Sequence, residues 1–507
     1  MWTQVAAGFV LASLTAAYYP GANIPLSYWL IYPISCSVGV LYILFSAAMP
    51  RTGGDYIYVS RALHPLAGFV SNFMFNANIA GWIGPWVAFA VPAGLCAFFA
   101  SWGIETGNAY FSNIALWLIN PWPYFLITAL LNVLSGIIVY YGAKWTARFC
   151  WLFFILAVIG ISTMDIYMAT AGTATFVAGW NQLSGTTYDA VIAAAQKAGY
   201  FLGFSAMGTI LGVTYAYQNT IGYTTSVYYA GEIKTKNMLK TQLLAIIGST
   251  TMFTIITSSI GFATYAGVGQ QFFHAISQLY WIGASPLVPS MVATLGVPDT
   301  IFLAYMHAPL WVLVLVLIAG IAGPWGLGLP MVFTNSRCSF AWGFDRIYPT
   351  RFASISRKTG SPTLSIFYNV AFGNAIAFVY IFLPSIFGAM TYTMMLWAAG
   401  EIVVAVAGIT FAYKRKDILA AAPKLVRAKI GPLPIITFVA IVVLAEMIFM
   451  EYAIAEPLVV GLVNPIGGVA LTILFVGVPI VIYYVSIWYN KKKGIPIDLV
   501  HRTLPPE

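Results

Sequence analysis

FLGFSAMGTILGVTYAYQNTIGYTTSVYYAGEIK, residues 201–234, is an apolar segment with a polar knot at its middle. Gln218, Asn219 and Thr220 are consecutive, and Gly222 follows after one more residue. Consecutive side chains on an α-helix point in different directions, so one narrow helix–helix contact does not easily satisfy all three. Two readings follow. Either the three hydrogen-bond to neighbouring helices, or the helix is unwound here and its freed backbone faces a cavity. The second reading makes Tyr217, Gln218, Asn219, Thr220, Ile221 and Gly222 a candidate binding segment.

The surroundings of this segment follow from composition. Of 507 residues, 60% are hydrophobic and 7% charged, with a mean hydropathy of +0.85. A soluble domain carries about 25% charged residues. Polar surface is too scarce here to cover a water-facing globule, so the whole length reads as membrane protein. Apolar runs fall near 1–20, 26–49, 66–102, 124–143, 147–171 and 200–230, and again near 242–266, 308–336, 363–385, 390–412, 432–453 and 464–489. A spanning helix needs about 20 such residues. The expected fold class is an all-α polytopic membrane protein of about 12 transmembrane helices, because a β-barrel would show short alternating strands. The opening residues 1–23 lack the basic region of a secretory signal and read as a spanning segment.

Basic residues test that count. With the N-terminus inside, Arg51 and Arg61, then Lys144 and Arg148, then Lys234, Lys236 and Lys240 share one side. Arg337, Arg346, Arg351, Arg357 and Lys358 join them, as do six basic residues between Lys414 and Lys429, and Lys491, Lys492, Lys493 and Arg502. Of the 23 Lys and Arg residues, only Lys197 falls on the other side. Positive charge gathers in cytoplasmic loops, so the chain is expected in the cell membrane, multi-pass, with both termini cytoplasmic. Topology and contact with anionic lipid of the bilayer then account for the net charge of +9. No nucleic-acid partner is expected. In PRTGGDYIYVSRALHP (50–65) the glycine pair beside arginine reads as the turn from the second to the third span, not as a phosphate cradle.

Other features are sparse. WIGPWVAFAVP (82–92) puts Pro85 and Pro92 inside the third span, each removing a helical hydrogen bond, and Trp82 and Trp86 are either a pocket wall or core. Glu401, in TMMLWAAGEIVVAVAGIT (393–410), lies near the centre of the tenth span. An ionisable group there is costly and a functional candidate. It is either a proton carrier, hence a candidate coupling residue, or a protonated structural donor. Cys36, Cys96, Cys150 and Cys338 form no CxxC pair and read as apolar thiols, and the four histidines are scattered. No metal site, cofactor or enzymatic activity is expected. No GxxxxGK motif followed by Ser or Thr is present, which argues against ATP-driven transport by this chain.

Three loops carry a resemblance. In PRTGGDYIYVSRALHPLAGF (50–69), Pro50, Gly53, Gly54, Tyr56, Tyr58, Arg61, Pro65 and Gly68 match the loop after the second helix of amino acid permeases of the amino acid–polyamine–organocation (APC) superfamily, although His64 stands where glycine is frequent. IGYTTSVYYAGEIKTKN (221–237) resembles their sixth helix at Gly222, Tyr223, Glu232 and Lys234, with Gly231 replacing the first acid. SRCSFAWGFDRIYPTRFASISRKTGSP (336–362) is similar to the loop after their eighth helix at Ser336, Arg337, Asp345, Pro349 and Pro362.

The resemblance implies a leucine transporter-like 5+5 inverted repeat plus two helices. Residues 1–171 would form the first repeat, 200–412 the second, and 432–490 the last two helices. It also implies a substrate site between broken first and sixth helices, with access alternating between the two sides and Tyr217 as a gate. Family spacing back from Gly53 puts the unwound glycine of the first helix at Gly8, where only seven residues precede it. Either the true start lies upstream or part of the site is lost. The function implied is a secondary active transporter of amino acids or related organic cations, coupled to protons or sodium; no lysine inside the fifth span offers a fixed cation. The alternative is a transporter-derived accessory or scaffold subunit bound to a partner membrane protein.

Overall fold

The computed structural model describes residues 8–283, 285–384, 393–455 and 465–495; the chain before Gly8 and Arg502 of the basic tail lie outside them. The polypeptide is nearly all helical. Among the described residues ten helices are long and apolar enough to cross a membrane. Twelve were expected. Those that fall short are the first, α1 (Gly8–Tyr18), and the sixth, which is split into α8 (Ala206–Leu211) and α9 (Val213–Thr220). At 1.5 Å per residue, the eight residues of α9 reach about 12 Å, less than half of a bilayer core, and the described part of α1, which begins at the first described residue, reaches about 16 Å. Hydropathy registers a run of apolar residues whether or not its backbone stays helical, so an interrupted span still enters the count.

The other helices needed below are α2 (Ile24–Ala48), the short α3 (Asp55–Ala62), α4 (Pro65–Ala88) continued by α5 (Ala97–Thr106), α6 (Pro121–Tyr140) and α7 (Ala143–Leu183). After the break come α10 (Ser249–Val268), α11 (Leu310–Phe344), α12 (Thr363–Phe382), α13 (Thr393–Lys414) and α14 (Ile435–Ala455). Between α4 and α5 the backbone loosens into a π-helical turn, Ala90–Cys96, which holds Pro92. A ring that offers no N–H is absorbed there by widening the turn. Pro85 stays inside α4.

Packing follows a lipid solvent. On α6, Trp122, Leu126 and Leu130 are largely exposed, whereas Thr128, Asn132 and Ser135 of the same helix are fully buried. The buried amide of Asn132 donates from Nδ2 to Asn374 Oδ1 on α12 at 2.8 Å. Polar groups turned inward find partners there that hydrocarbon cannot supply. Two of the cysteines, Cys96 and Cys338, are buried and the other two partly so; all four are free thiols.

The basic segments meet at one end of the bundle. Thr52 pairs with Tyr229 as an antiparallel bridge, and Gly53 N donates to Tyr228 O at 2.9 Å. Arg61 Nη2 donates to Asp345 Oδ2 at 2.9 Å, Arg415 Nη1 to Arg61 O, and Asn490 Nδ2 to Arg346 O. Gly53 and Gly54 hold positive φ angles of 115° and 55°, and a Cβ on Gly54 would lie 2.6 Å from the Tyr228 ring. The glycine pair therefore makes a turn and also a close approach. Arg61, read from sequence as a marker of the cytoplasmic side, is 5% exposed. Its partner Asp345 lies far along the chain, so no local pattern exposes the pairing.

Candidate functional site

α9 stops at Thr220. Ile221 turns extended (φ −49°, ψ 135°), Gly222 takes φ 103°, and the chain resumes as 3-10 turns at Thr225–Tyr228 and Ala230–Glu232. A φ of that sign suits glycine, because a Cβ would crowd the backbone. Gln218, Asn219 and Thr220 are thus helical, on the last turn before the break, and the unwound stretch begins at Ile221. The expected unwinding over 217–222 is shifted toward the C-terminus. Asn219 and Thr220 bond in different directions. Asn219 Nδ2 donates to Tyr28 Oη on α2 at 2.9 Å, and Thr220 Oγ1 donates to Tyr217 O at 3.0 Å. Gln218 is buried. Asn219 Oδ1 is buried without a hydrogen-bond partner.

Gly8 lies against this turn. A Cβ built on it would sit 3.3 Å from Ile260 Cδ1 and 3.7 Å from Asn219 Nδ2. The sequence-derived candidates on the first and sixth helices are therefore neighbours. Glu401, on α13, joins them. Its Oε2 accepts from Tyr217 Oη and its Oε1 from Tyr223 Oη, each at 2.9 Å. Tyr217 precedes the break and Tyr223 follows it, and all three side chains are buried.

Two cavities flank the break. The larger, about 390 Å³, is lined by Gly222, Tyr223, Thr225 and Glu232 after the break, by Thr146 and Cys150 of α7, and by Pro330 and Phe333 of α11. It reaches Ala143 and Ile233, beside Lys144 and Lys234, and so runs toward the basic end. The smaller, about 20 Å³, lies between Trp86 of α4, Ile221 and Gly222, Thr334 of α11 and Trp397 of α13. That is room for about one water. Thr334 Oγ1 and Trp397 Nε1 are buried there without partners. Gly222, Thr225 and Pro330 line both spaces, so the break is the wall between them. Of the six predicted residues on the sixth helix, Ile221 and Gly222 line cavities, whereas 217–220 stand behind them.

At the basic end the larger cavity is edged by an ion pair. Arg337 donates from Nε and Nη2 to the two oxygens of Glu232, at 2.8 and 3.1 Å, and its guanidinium lies 3.5 Å from the centre of the Phe333 ring. This planar, bidentate geometry is what arginine supplies and lysine does not. Nearby, between spans, Asp55 Oδ1 accepts from Asn72 Nδ2 at 2.6 Å and from Tyr56 N at 3.1 Å. Burial pushes the Asp55 carboxyl up to about 6, although the Asn72 amide favours its charged form.

Sequence reasoning did not single out Tyr28, Thr334 or Trp397. Trp397 had a signal: it stands four residues before Glu401, on the same helix face. Tyr28 and Thr334 had none, since each reaches the site from a distant helix.

An interrupted helix, a carboxylate buried against it and a cavity that ends on the break are the arrangement in which a membrane protein can hold a small molecule at mid-depth. The chain belongs to the amino acid permease family, whose model matches residues 3–463. It is a secondary active transporter of the APC superfamily. No match to a curated protein reaches significance. Among solved structures, the chain is similar to a Na+-coupled sialic acid symporter in a substrate-bound outward-open state (15% identity, 89% of each chain, TM-score 0.48). It is also similar to MhsT in complex with L-phenylalanine (14% identity, 88% of this chain and 98% of that one, TM-score 0.47).

Proposed function

We propose that this chain carries amino acids or related organic cations across the cell membrane by alternating access, coupled to protons or sodium, with the substrate held at the break after α9. The observation that carries the reading is the break itself, with a cavity of about 390 Å³ ending on it. That volume falls within the range of about 300–1,000 Å³ typical of small-molecule sites. Because α9 ends at Thr220, its last carbonyls lack partners within the helix and carry the negative end of its dipole. With Asn219 Oδ1 they favour an ammonium group. Gly8, beside Asn219, supplies the approach of the first helix. Residues 1–171 and 200–412 are the two repeats of five helices, and 432–490 adds two more.

Positive loops mark the cytoplasmic side, so the basic end faces inward, both termini are cytoplasmic, and the cavity opens to the cytoplasm. The chain acts as a carrier and not as an enzyme. Purified protein should gain thermal stability with its substrate in a screen over amino acids and amines, because a ligand that binds only the folded state raises apparent stability. Asn219→Leu and Thr220→Leu should each fold and lose that shift. Unchanged shifts in both variants place the site elsewhere. A wild type that neither shifts nor takes up any amino acid in vesicles favours the accessory-subunit reading.

A further inference from the structure

We infer that Glu401 is a proton-operated clasp on the helix break: as a carboxylate it ties Tyr217 and Tyr223 together across the break, and on taking up a proton it lets Tyr223 go. The inference rests on the break being the substrate site and chooses the proton as coupling ion.

The geometry is particular to a broken helix. Tyr217 and Tyr223 are six positions apart. On a continuous α-helix that spacing separates side chains by about 9 Å of rise and about 120° of azimuth, so both could not reach one carboxylate. Here both hydroxyls meet Glu401, each at 2.9 Å. The bond pair exists only while residues 221–224 stay unwound.

An ionised carboxylate only accepts hydrogen bonds, and two phenols only need to donate to it. Protonation changes that arithmetic. One oxygen now bears a hydrogen and becomes a donor, so one phenol must turn and accept, and its own hydrogen then needs another acceptor. Tyr217 is wholly buried and lines neither cavity. Tyr223 lines the large cavity, where water can accept. Tyr223 is therefore the one that turns its hydrogen to water, and its charge-assisted bond to Glu401 is lost, leaving a weaker neutral contact that lets it go. The proton arrives by the same route: Tyr223 passes its hydrogen to Glu401 and takes one from a hydronium ion in the cavity, which leaves as water, so the net change is one proton on Glu401.

Other charged groups do not substitute for that proton. Those acting on this cluster from the packed elements are Asp55 of α3, Glu446 and Glu451 of α14, and the Tyr42 hydroxyl of α2. All are acidic. The guanidinium of α3, Arg61, is held by Asp345, and Arg415 at the end of α13 is held by Asp417.

The test uses the purified full-length protein. Infrared difference spectra between alkaline and acidic buffer should show a protonated-carboxyl band that Glu401→Gln removes, together with a tyrosine C–O shift that Tyr223→Phe removes. A carboxyl band that E401Q leaves undiminished, or a tyrosine shift that Y223F leaves undiminished, overturns the clasp; the Asp55 carboxyl contributes equally to wild type and variant and cancels between them. Should E401Q not fold, Glu401→Asp answers the same question. One methylene shorter, it still titrates but cannot span both phenols, so the carboxyl band stays and the tyrosine shift goes; persistence of both overturns the clasp. In vesicles loaded with a mixture of labelled amino acids, wild-type exchange should depend on pH and E401Q exchange should not. Matching pH profiles overturn the clasp. Wild-type vesicles without any exchange overturn the substrate reading instead, and leave the infrared result to stand alone.

Discussion

Replacing Asp55 with Asn should remove a defined step from the pH dependence of stability. Asp55 is 1% exposed, and burial moves its carboxyl from the ordinary 3.8 to about 6. In acid below the lower value, both folded and unfolded chains hold the proton, and burial costs nothing in charge. Between the two values the folded chain keeps a proton that the unfolded chain has released, so stability falls as pH rises. Above about 6 the loss is complete. A difference of about two units, at about 1.4 kcal/mol each, amounts to about 3 kcal/mol. An asparagine retains Oδ1 for Asn72 Nδ2 and the Tyr56 amide but carries no charge at any pH. Thermal unfolding of both proteins in lipid nanodiscs, across this window, should show wild type losing stability relative to Asp55→Asn as pH rises. Carboxylates common to both cancel in the difference. Parallel profiles would refute the claim that Asp55 is desolvated in the native state.

Three further outcomes are expected. Arg61→Ala removes the guanidinium 2.9 Å from the buried Asp345 carboxylate, and should cost about 3–5 kcal/mol in unfolding, whereas joint replacement of Arg61 and Asp345 by apolar residues should recover most of it. Gly222→Ala forces a Cβ onto a φ of 103° and should lower stability by about 1–3 kcal/mol; a neutral result in thermal unfolding would mean that the break relaxes elsewhere. Cys150 lines the large cavity, so a membrane-impermeant maleimide should modify it only from the side of the basic loops, with mass spectrometry reading the site. Modification from the opposite side alone would reverse the proposed orientation.

The break was legible because three adjacent polar residues at mid-span conflict with a one-sided helix contact. Its position was less so. Asn219 and Thr220 could remain helical because Tyr28 and the Tyr217 carbonyl take their hydrogen bonds, and neither partner is visible in a local window. Glu401 stood out for a general reason, the cost of an ionisable group in hydrocarbon, but its two phenols come from the two sides of the break, 178 and 184 positions away. Charge counting put Arg61 and Arg415 on one side, and the structure joins them there, but a count carries no information on burial, and Arg61 is buried against Asp345. Three-dimensional pairing, not composition, decides which charges leave water.

The backbone pairing of the glycine loop with the chain after the break has its own consequence. Thr52 and Gly53 grip Tyr229 and Tyr228 through main-chain atoms. If the post-break segment swings during transport, the seam must either travel with it or unzip. A seam stitched by peptide groups is blind to side-chain identity, so alanine at Thr52, Tyr228 or Tyr229 will leave its main-chain bonds in place. Only changes to the thread itself, a bulkier residue at Gly54 or a proline at position 53, will reveal whether it is a hinge or a fastening.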